Sequence, residues 1–261
     1  MANGQNAYSQ DKSAAEYVLS WNMQGAGGEF GPKTGALWGY LQNSGTAGTI
    51  RFVCLQECSK IPAANWKKDP TTKVMYATRR VTRSARASIF YYPWARSDSG
   101  NERCSLAVIV IGEDDPTALD HAIVWSPQAA RPMVGVKANG LWVFTLHANA
   151  SGRAAASAKG LINEAVSKIV GGDDWLVAGD FNCQTAAVAG GWDVRKTDPA
   201  AARRSRSLAT LPTQDIDFVV QKSRASLNTR LSMHQGRQVA NGQLLSDHPA
   251  QIFQLWSTKG Q

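Results

Sequence analysis

With 261 residues, 43% of them hydrophobic and nine of them tryptophan, the chain can bury a sizeable core in a large α/β or all-β domain. Four cysteines are too few for a disulfide scaffold, and no apolar run approaches the length of a membrane-spanning helix. Lysine and arginine outnumber the acids 28 to 20, a net +8 with a pI near 9.5. That excess favours an anionic partner (nucleic acid, a phosphoinositide or another phosphate ester) over a soluble basic protein with none.

Residues 1–15 read as a flexible N-terminal segment, and 16–261 as a single domain. The start is polar and lacks the basic-then-apolar layout of a signal peptide. Residues 17–21 predict a first strand ending in Asn22-Met23-Gln24-Gly25. Pro32 suits the first turn of a helix that runs to about Gln42. Residues 49–55 predict a second strand, which delivers Gln56 and Glu57 at its end. A glutamate there is either a surface residue or a metal ligand. Cys54 and Cys58 do not have a CxxC metal spacing, and the cysteines read as mostly buried free thiols, with one disulfide as the alternative. Residues 60–73 read as a polar loop or short irregular helix. Strands are predicted over 74–78 and 87–92, around the basic linker 79–86 with its four arginines. That linker is either a solvated hairpin or a segment for phosphate contact or nuclear import. Residues 104–111 are strongly strand-like, and Arg103 stands immediately before them.

A strand is predicted over 121–125, and Pro127 and Arg131-Pro132 mark a turn. Residues 133–137 and 141–146 pair as a hairpin across Ala138-Asn139-Gly140, because Asn-Gly is a strong signal for a two-residue turn. The second strand of that hairpin ends at His147. Residues 154–170 carry helix formers with an apolar stripe at Ala158, Leu161, Ile162, Ala165, Val166 and Ile169, and Gly171-Gly172 stops the helix. The short apolar run 175–178 predicts a buried strand, followed by Gly179-Asp180-Phe181-Asn182. If the strand conformation persists, Asp180 and Asn182 share a face. A carboxylate there can orient a water, and a carboxamide can donate to a phosphate oxygen. Taken alone, the four residues are equally compatible with a polar turn. Residues 183–212 read as a long loop with a basic run at Arg203, Arg204 and Arg206. Residues 216–220 predict a strand presenting Asp215 and Asp217 on one face. Ser246-Asp247-His248-Pro249 precedes a last strand over 252–256. His121 and His234 read as ordinary surface or partly buried histidines. Strands alternating with few helices predict two packed sheets with helices outside.

One pattern recurs along the chain. Asn22, Glu57, His147, Asp180, Asn182, Asp217, Asp247 and His248 all fall at or near predicted strand ends. Gathered on one rim, they supply the groups that phosphodiester hydrolysis needs. Oxygen donors from Glu57, Asp247 and Asn22 would suit a hard divalent cation. An attacking water needs a base, and the leaving oxygen needs an acid or a metal.

In order, Trp21-Asn22-Met23-Gln24-Gly25, Leu55-Gln56-Glu57, His147-Ala148, Gly179-Asp180-Phe181-Asn182, Asp215-Ile216-Asp217-Phe218 and Ser246-Asp247-His248 resemble the motifs of the endonuclease/exonuclease/phosphatase superfamily. The Trp-Asn-Met-Gln-Gly opening, with Arg131-Pro132 ahead of the His147 hairpin, resembles its B-subunit family of cytolethal distending toxins. The resemblance covers nearly the whole chain. It implies a deoxyribonuclease I-like, four-layer α/β sandwich with the site at one edge of two mixed sheets. It also implies a Mg²⁺-dependent DNA endonuclease, with Mn²⁺ or Ca²⁺ able to substitute or assist. By motif match, Glu57, Asn22 and Asp247 hold the metal, and Asp180 orients the water. His147 and His248 are the catalytic imidazoles, with Asp217 paired to His248, while Arg103, Arg131 and Asn182 contact phosphate.

A phosphatidylinositol phosphatase using the same rim is the alternative the resemblance keeps open. A non-catalytic DNA- or partner-binding module is the other, and the filled catalytic positions disfavour it. The resemblance further implies carrier toxin subunits as partners, secretion, and action in the nucleus of a target cell.

Overall fold

The computed structural model describes residues 16–24, 32–43, 49–59, 61, 63–94, 104–150, 152–189, 191–196, 217–221, 239–240, 243–244 and 250–255. Segment 1–15, Arg103, the basic run 203–206, Asp215, His234 and Ser246-Asp247-His248 lie outside them. In chain order the first strands are β1 (Glu16–Asn22), β2 (Thr49–Gln56), β3 (Ala64–Lys68), β4 (Met75–Arg80), β5 (Arg86–Tyr92) and β6 (Leu106–Ile111). Next come β7 (Asp120–Val124), β8 (Met133–Ala138), β9 (Leu141–His147), β10 (Asp174–Asp180), β11 (Asp193–Lys196) and β12 (Asp217–Gln221). The short strands β13 (Val239–Ala240) and β14 (Gln243–Leu244) pair with each other, and β15 (Gln251–Leu255) is the last. The helices are α1 (Pro32–Asn43), α2 (Ala154–Ala165) and the single turn α3 (Thr185–Val188).

The described strands form two large mixed sheets. One runs β15-β1-β2-β6-β5-β4-β3 and the other β11-β12-β10-β9-β8-β7. The pairs β1/β2 and β9/β10 are parallel; the other neighbours are antiparallel.

Period-two alternation explains why the sheets stack. In β2, Phe52 and Cys54 face the other sheet, while Val53 and Leu55 face outward. In β10, Leu176 and Ala178 face inward, and Trp175 and Val177 outward. The inward sets of both sheets share one core with Val18, Phe90, Val108, Val110, Val136, Val143 and Val219. Outward residues of the first sheet pack against Leu37, Trp38 and Leu41 of α1. Those of the second pack against Ala158, Leu161, Ile162 and Ala165 of α2. Helix, sheet, sheet and helix thus form the four-layer α/β sandwich. Each fully buried large apolar side chain contributes roughly 1.5–3 kcal/mol relative to exposure. Gly179 lets β9 and β10 close up, because a Cβ there would lie 2.2 Å from the Leu146 carbonyl oxygen.

Several predicted elements are redrawn. Part of 60–73 is a strand, β3, with every residue exposed or half-buried, so it has no apolar face to read. Within 183–212 lie α3 and β11. The strand predicted from Cys104 begins at Leu106. The predicted helix 154–170 stays α-helical only to Ala165, then turns through a π-helical turn, Val166–Val170. The Asn-Gly hairpin forms as predicted, with φ of +52° at Asn139 and +76° at Gly140, the signs a type I′ turn requires.

Candidate active site

The inward face of each strand is apolar along most of its length and turns polar at one end. In β1 the inward positions pass from Val18 through Ser20 to Asn22; in β2, from Cys54 to Gln56; in β9, from Val143 through Thr145 to His147. In β10 they pass from Ala178 to Asp180, and β12, running the opposite way, passes from Val219 to Asp217. Register brings these ends together. His147 lies opposite Asp180, and Asp180 opposite Asp217, across β9, β10 and β12. In the facing sheet Asn22 lies opposite Gln56. The polar ends therefore form one mouth between the two sheets.

Asp180 is the hub. Its side chain is buried, and a buried carboxylate is costly unless hydrogen-bonded. Asn22 Nδ2 donates to its Oδ2 at 2.8 Å, joining the two sheets, and the Asn182 amide donates to Oδ1 at 2.9 Å. Two fixed donors set the direction of the remaining lone pairs. His147, also buried, places Nε2 3.7 Å from Asp180 Oδ2 and 3.5 Å from Glu57 Oε1. A protonated imidazole there forms ion pairs with both carboxylates. Beside this group burial pushes the Cys183 thiol pKa up, and the Asp180 charge adds to the effect.

Two residues reach the rim by a route that strand alternation does not give. Continued alternation would turn Glu57 outward, like Leu55. Its left-handed backbone, φ +47°, instead accompanies a carboxylate that reaches His147. The shared face predicted for Asp180 and Asn182 is corrected likewise. The strand ends at Asp180, and Asn182 has φ +49°. Its side chain donates to the Ala148 carbonyl at 2.9 Å, while the Ala148 amide donates to the Asp180 carbonyl at 2.9 Å. Asn182 thus caps and braces the β9 and β10 ends.

Arg131 stands on the turn before β8, beside the His147 end of β9; the neighbouring Ala130 amide donates to Asn149 Oδ1 at 3.2 Å. Its guanidinium Nη1 is buried and has no hydrogen-bond partner among the described residues. Gln56, placed by the sequence at the end of β2 without a role, braces the site from behind. Its Nε2 donates to Thr145 Oγ1 at 2.7 Å, Cys54 O at 3.1 Å and Ser20 Oγ at 3.3 Å, pinning the sheets together directly behind the site. A glutamine at the end of an apolar strand and next to a predicted site glutamate was the available signal. His121 is accounted for structurally: its ring packs 5.3 Å from Phe90, and Nε2 lies 3.4 Å from Asp69. The four cysteines are free thiols.

The donors at this rim fit a hard divalent cation in kind, since Glu57 offers a carboxylate and Asn22 a carboxamide oxygen. Asn22 Oδ1 accepts from the Gln24 amide at 2.9 Å, which orients it. Among the described residues no three or more His, Cys, Asp or Glu are gathered to hold a metal by themselves. Asp247, the remaining expected ligand, is outside that set.

No protein-family model matches the chain, and no curated protein matches it at a significant level. Solved structures do match. The crystal structure of the Haemophilus ducreyi cytolethal distending toxin aligns with a TM-score of 0.62 at 21% identity, over 92% of this chain and 98% of that one. The structure of CdtB, the biologically active subunit of cytolethal distending toxin, aligns with a TM-score of 0.65 at 17% identity, over 91% and 96%. An endonuclease/exonuclease/phosphatase family protein from Leptotrichia buccalis aligns with a TM-score of 0.55 at 12% identity, over 92% and 99%. The chain has the endonuclease/exonuclease/phosphatase fold. At such identities the likeness is one of architecture, and chemistry has to be argued from the site. What this chain places at the mouth of the endonuclease/exonuclease/phosphatase sandwich is Asn22, Glu57, Arg131, His147, Asp180, Asn182 and Asp217.

Proposed function

We propose that the chain is a divalent-metal-dependent endonuclease that hydrolyses DNA phosphodiester bonds, as the catalytic subunit of a toxin similar to cytolethal distending toxin. The observation that carries this reading is the register-matched row of His147, Asp180 and Asp217, facing Asn22 and Glu57 across the mouth between the sheets. A phosphodiester resists attack because it is anionic and its leaving oxygen is a poor one. The row offers a remedy for each difficulty.

Asp180, held by two donors, accepts a hydrogen bond from the attacking water and aligns it. His147, with Nε2 beside the Glu57 and Asp180 carboxylates, donates toward a phosphate oxygen. Arg131 turns a guanidinium toward the charge that grows on the equatorial oxygens. Arg103 and Asn182 join it in phosphate contact, and His248 paired with Asp217 supplies the second imidazole. A divalent cation at Glu57, Asn22 and Asp247 would supply Lewis acidity; Mg²⁺ is the ion in this proposal, and Mn²⁺ or Ca²⁺ can substitute. Carrier subunits, secretion and action in a target-cell nucleus belong to the same reading, which the CdtB fold supports. Among the described residues no helix is long and apolar enough to cross a membrane.

The test is supercoiled-plasmid nicking beside phosphate release from a phosphatidylinositol phosphate, each with Mg²⁺ and with EDTA. Nicking that EDTA abolishes, with little phosphate release, supports the proposal. Phosphate release without nicking would make the chain a phosphoinositide phosphatase. Neither activity, with DNA binding retained, would make it a binding module.

A further inference from the structure

The row of strand ends that carries His147 continues past it. In the β8/β9 register Val134 lies opposite Thr145, so Pro132 comes opposite His147. In the β7/β8 register Val124 lies opposite Met133, so Trp125 comes next in the same row. In the facing sheet the row of Asn22 and Gln56 continues through Leu106 to Tyr92. Each row thus begins in catalytic groups and ends in an aromatic ring.

Those rings meet. Trp125 lies edge-on to Tyr92, with centroids 6.4 Å apart, and 5.5 Å from Trp94; Tyr92 and Trp94 stack at 6.5 Å. The cluster is braced from both sides. The Trp94 amide donates to Ser105 Oγ at 3.1 Å, and Ser126, next to Trp125, donates to Gln128 Oε1 at 2.5 Å. Trp125 is 46% exposed and is the one exposed large hydrophobic residue among those described. A lone exposed tryptophan is ordinary. A braced group of three rings, on the row of the site and next to the turn bearing Arg131, has a specific chemistry. An aromatic face takes any nucleobase by stacking, and a neighbouring guanidinium takes the phosphate.

From these positions we infer that Tyr92, Trp94 and Trp125 form a stacking platform for an unpaired base of the DNA strand being cut. This inference rests on the rim being a DNA phosphodiester site. Two strand spacings separate Trp125 from His147, roughly 10 Å. At about 3.4 Å per stacked nucleotide, the base it takes lies some three nucleotides from the scissile phosphate. The substrates so favoured are single strands, gaps and frayed ends, whose bases are free to stack.

The test uses the full chain in EDTA, so that nothing is cut. Fluorescence anisotropy compares labelled hexathymidylate with an abasic deoxyribose-phosphate strand of equal length. Wild type should bind hexathymidylate about tenfold more tightly than the abasic strand. Trp125→Ala should abolish that preference and leave abasic binding as it was. Trp125→Leu, which keeps apolar packing without a π face, should behave like the alanine variant, and Trp125→Phe should restore part of the preference. Equal binding of the two strands by wild type, or an unchanged preference in Trp125→Ala, would overturn the platform. Plasmid nicking in Mg²⁺ reports separately on the phosphodiesterase reading, so each can fail without the other.

Discussion

At the end of the sandwich where β5 begins and β6 ends, buried charge is answered within the chain. Arg51 donates through Nη1 to the Ile111 carbonyl at 2.6 Å and pairs through Nη2 with Glu113 at 2.5 Å. Gly112 stays small to make room for it, since a Cβ there would lie 2.7 Å from Nη1. At the opposite end β1, β2, β9 and β10 finish in Asn22, Gln56, His147 and Asp180, β12 begins at Asp217, and these polar groups surround a common mouth. Arg131 Nη1 is buried at that end without a partner among the described residues. The first end ties its charged groups to one another and to the backbone, although Arg51 Nε there is also buried without a hydrogen-bond partner among the described residues. The second end gathers carboxylates, an imidazole and carboxamides on one rim, the set of groups that chemistry needs. Changes at the first end should cost stability at constant rate, and changes at the second should cost rate at nearly constant stability.

Asp180→Asn gives the largest expected effect. It keeps the volume but places an amide group where two donors converge, and it removes the water-orienting carboxylate. Nicking should fall about 10³-fold, within the range for a positioned acid–base group, in protein whose circular dichroism matches wild type. A smaller loss follows Glu57→Gln, which removes one anionic oxygen from a weakly held cation. Nicking should drop about a hundredfold, recover in part with excess Mg²⁺, and show weaker Mg²⁺ binding by calorimetry. Unchanged nicking at low Mg²⁺ would remove Glu57 from the metal site.

The far end sharpens the contrast. Glu113→Ala leaves buried Arg51 with the Ile111 carbonyl alone. Denaturant unfolding should show a loss of about 2–3 kcal/mol, less than for a fully buried pair because Glu113 is partly exposed. Nicking below the unfolding transition should stay within about twofold of wild type, as expected for a distant, independent site. Arg131→Ala is the mildest of the four. It should weaken DNA binding about tenfold and lower the salt slope by about one, as the loss of one phosphate contact predicts. A wild-type salt slope would assign Arg131 to the turn before Pro132 instead.

The strands that bury a face were legible, because alternation of apolar and polar residues reports burial directly. So was the arrival of Asn22, His147, Asp180 and Asp217 at strand ends, since each is in phase with the apolar positions of its own strand. What could not be read is what alternation does not encode. β3 buries no face, so Ala64 to Lys68 looks like loop. Glu57 and Asn182 depend on left-handed backbone, which no pattern of residue types announced. The link from Asn22 to Asp180 spans 158 positions and exists only once the two sheets are stacked. The aromatic group of Tyr92, Trp94 and Trp125 comes from two different sheets, and none of its three residues is distinctive alone.

The most direct measurement is supercoiled-plasmid nicking by wild type and His147→Ala, each folded by circular dichroism, with Mg²⁺ and with EDTA. The account predicts nicking by wild type in Mg²⁺, none in EDTA, and a loss of at least about a hundredfold in His147→Ala. Wild type that fails to nick under either condition, or His147→Ala that nicks at the wild-type rate, would contradict it.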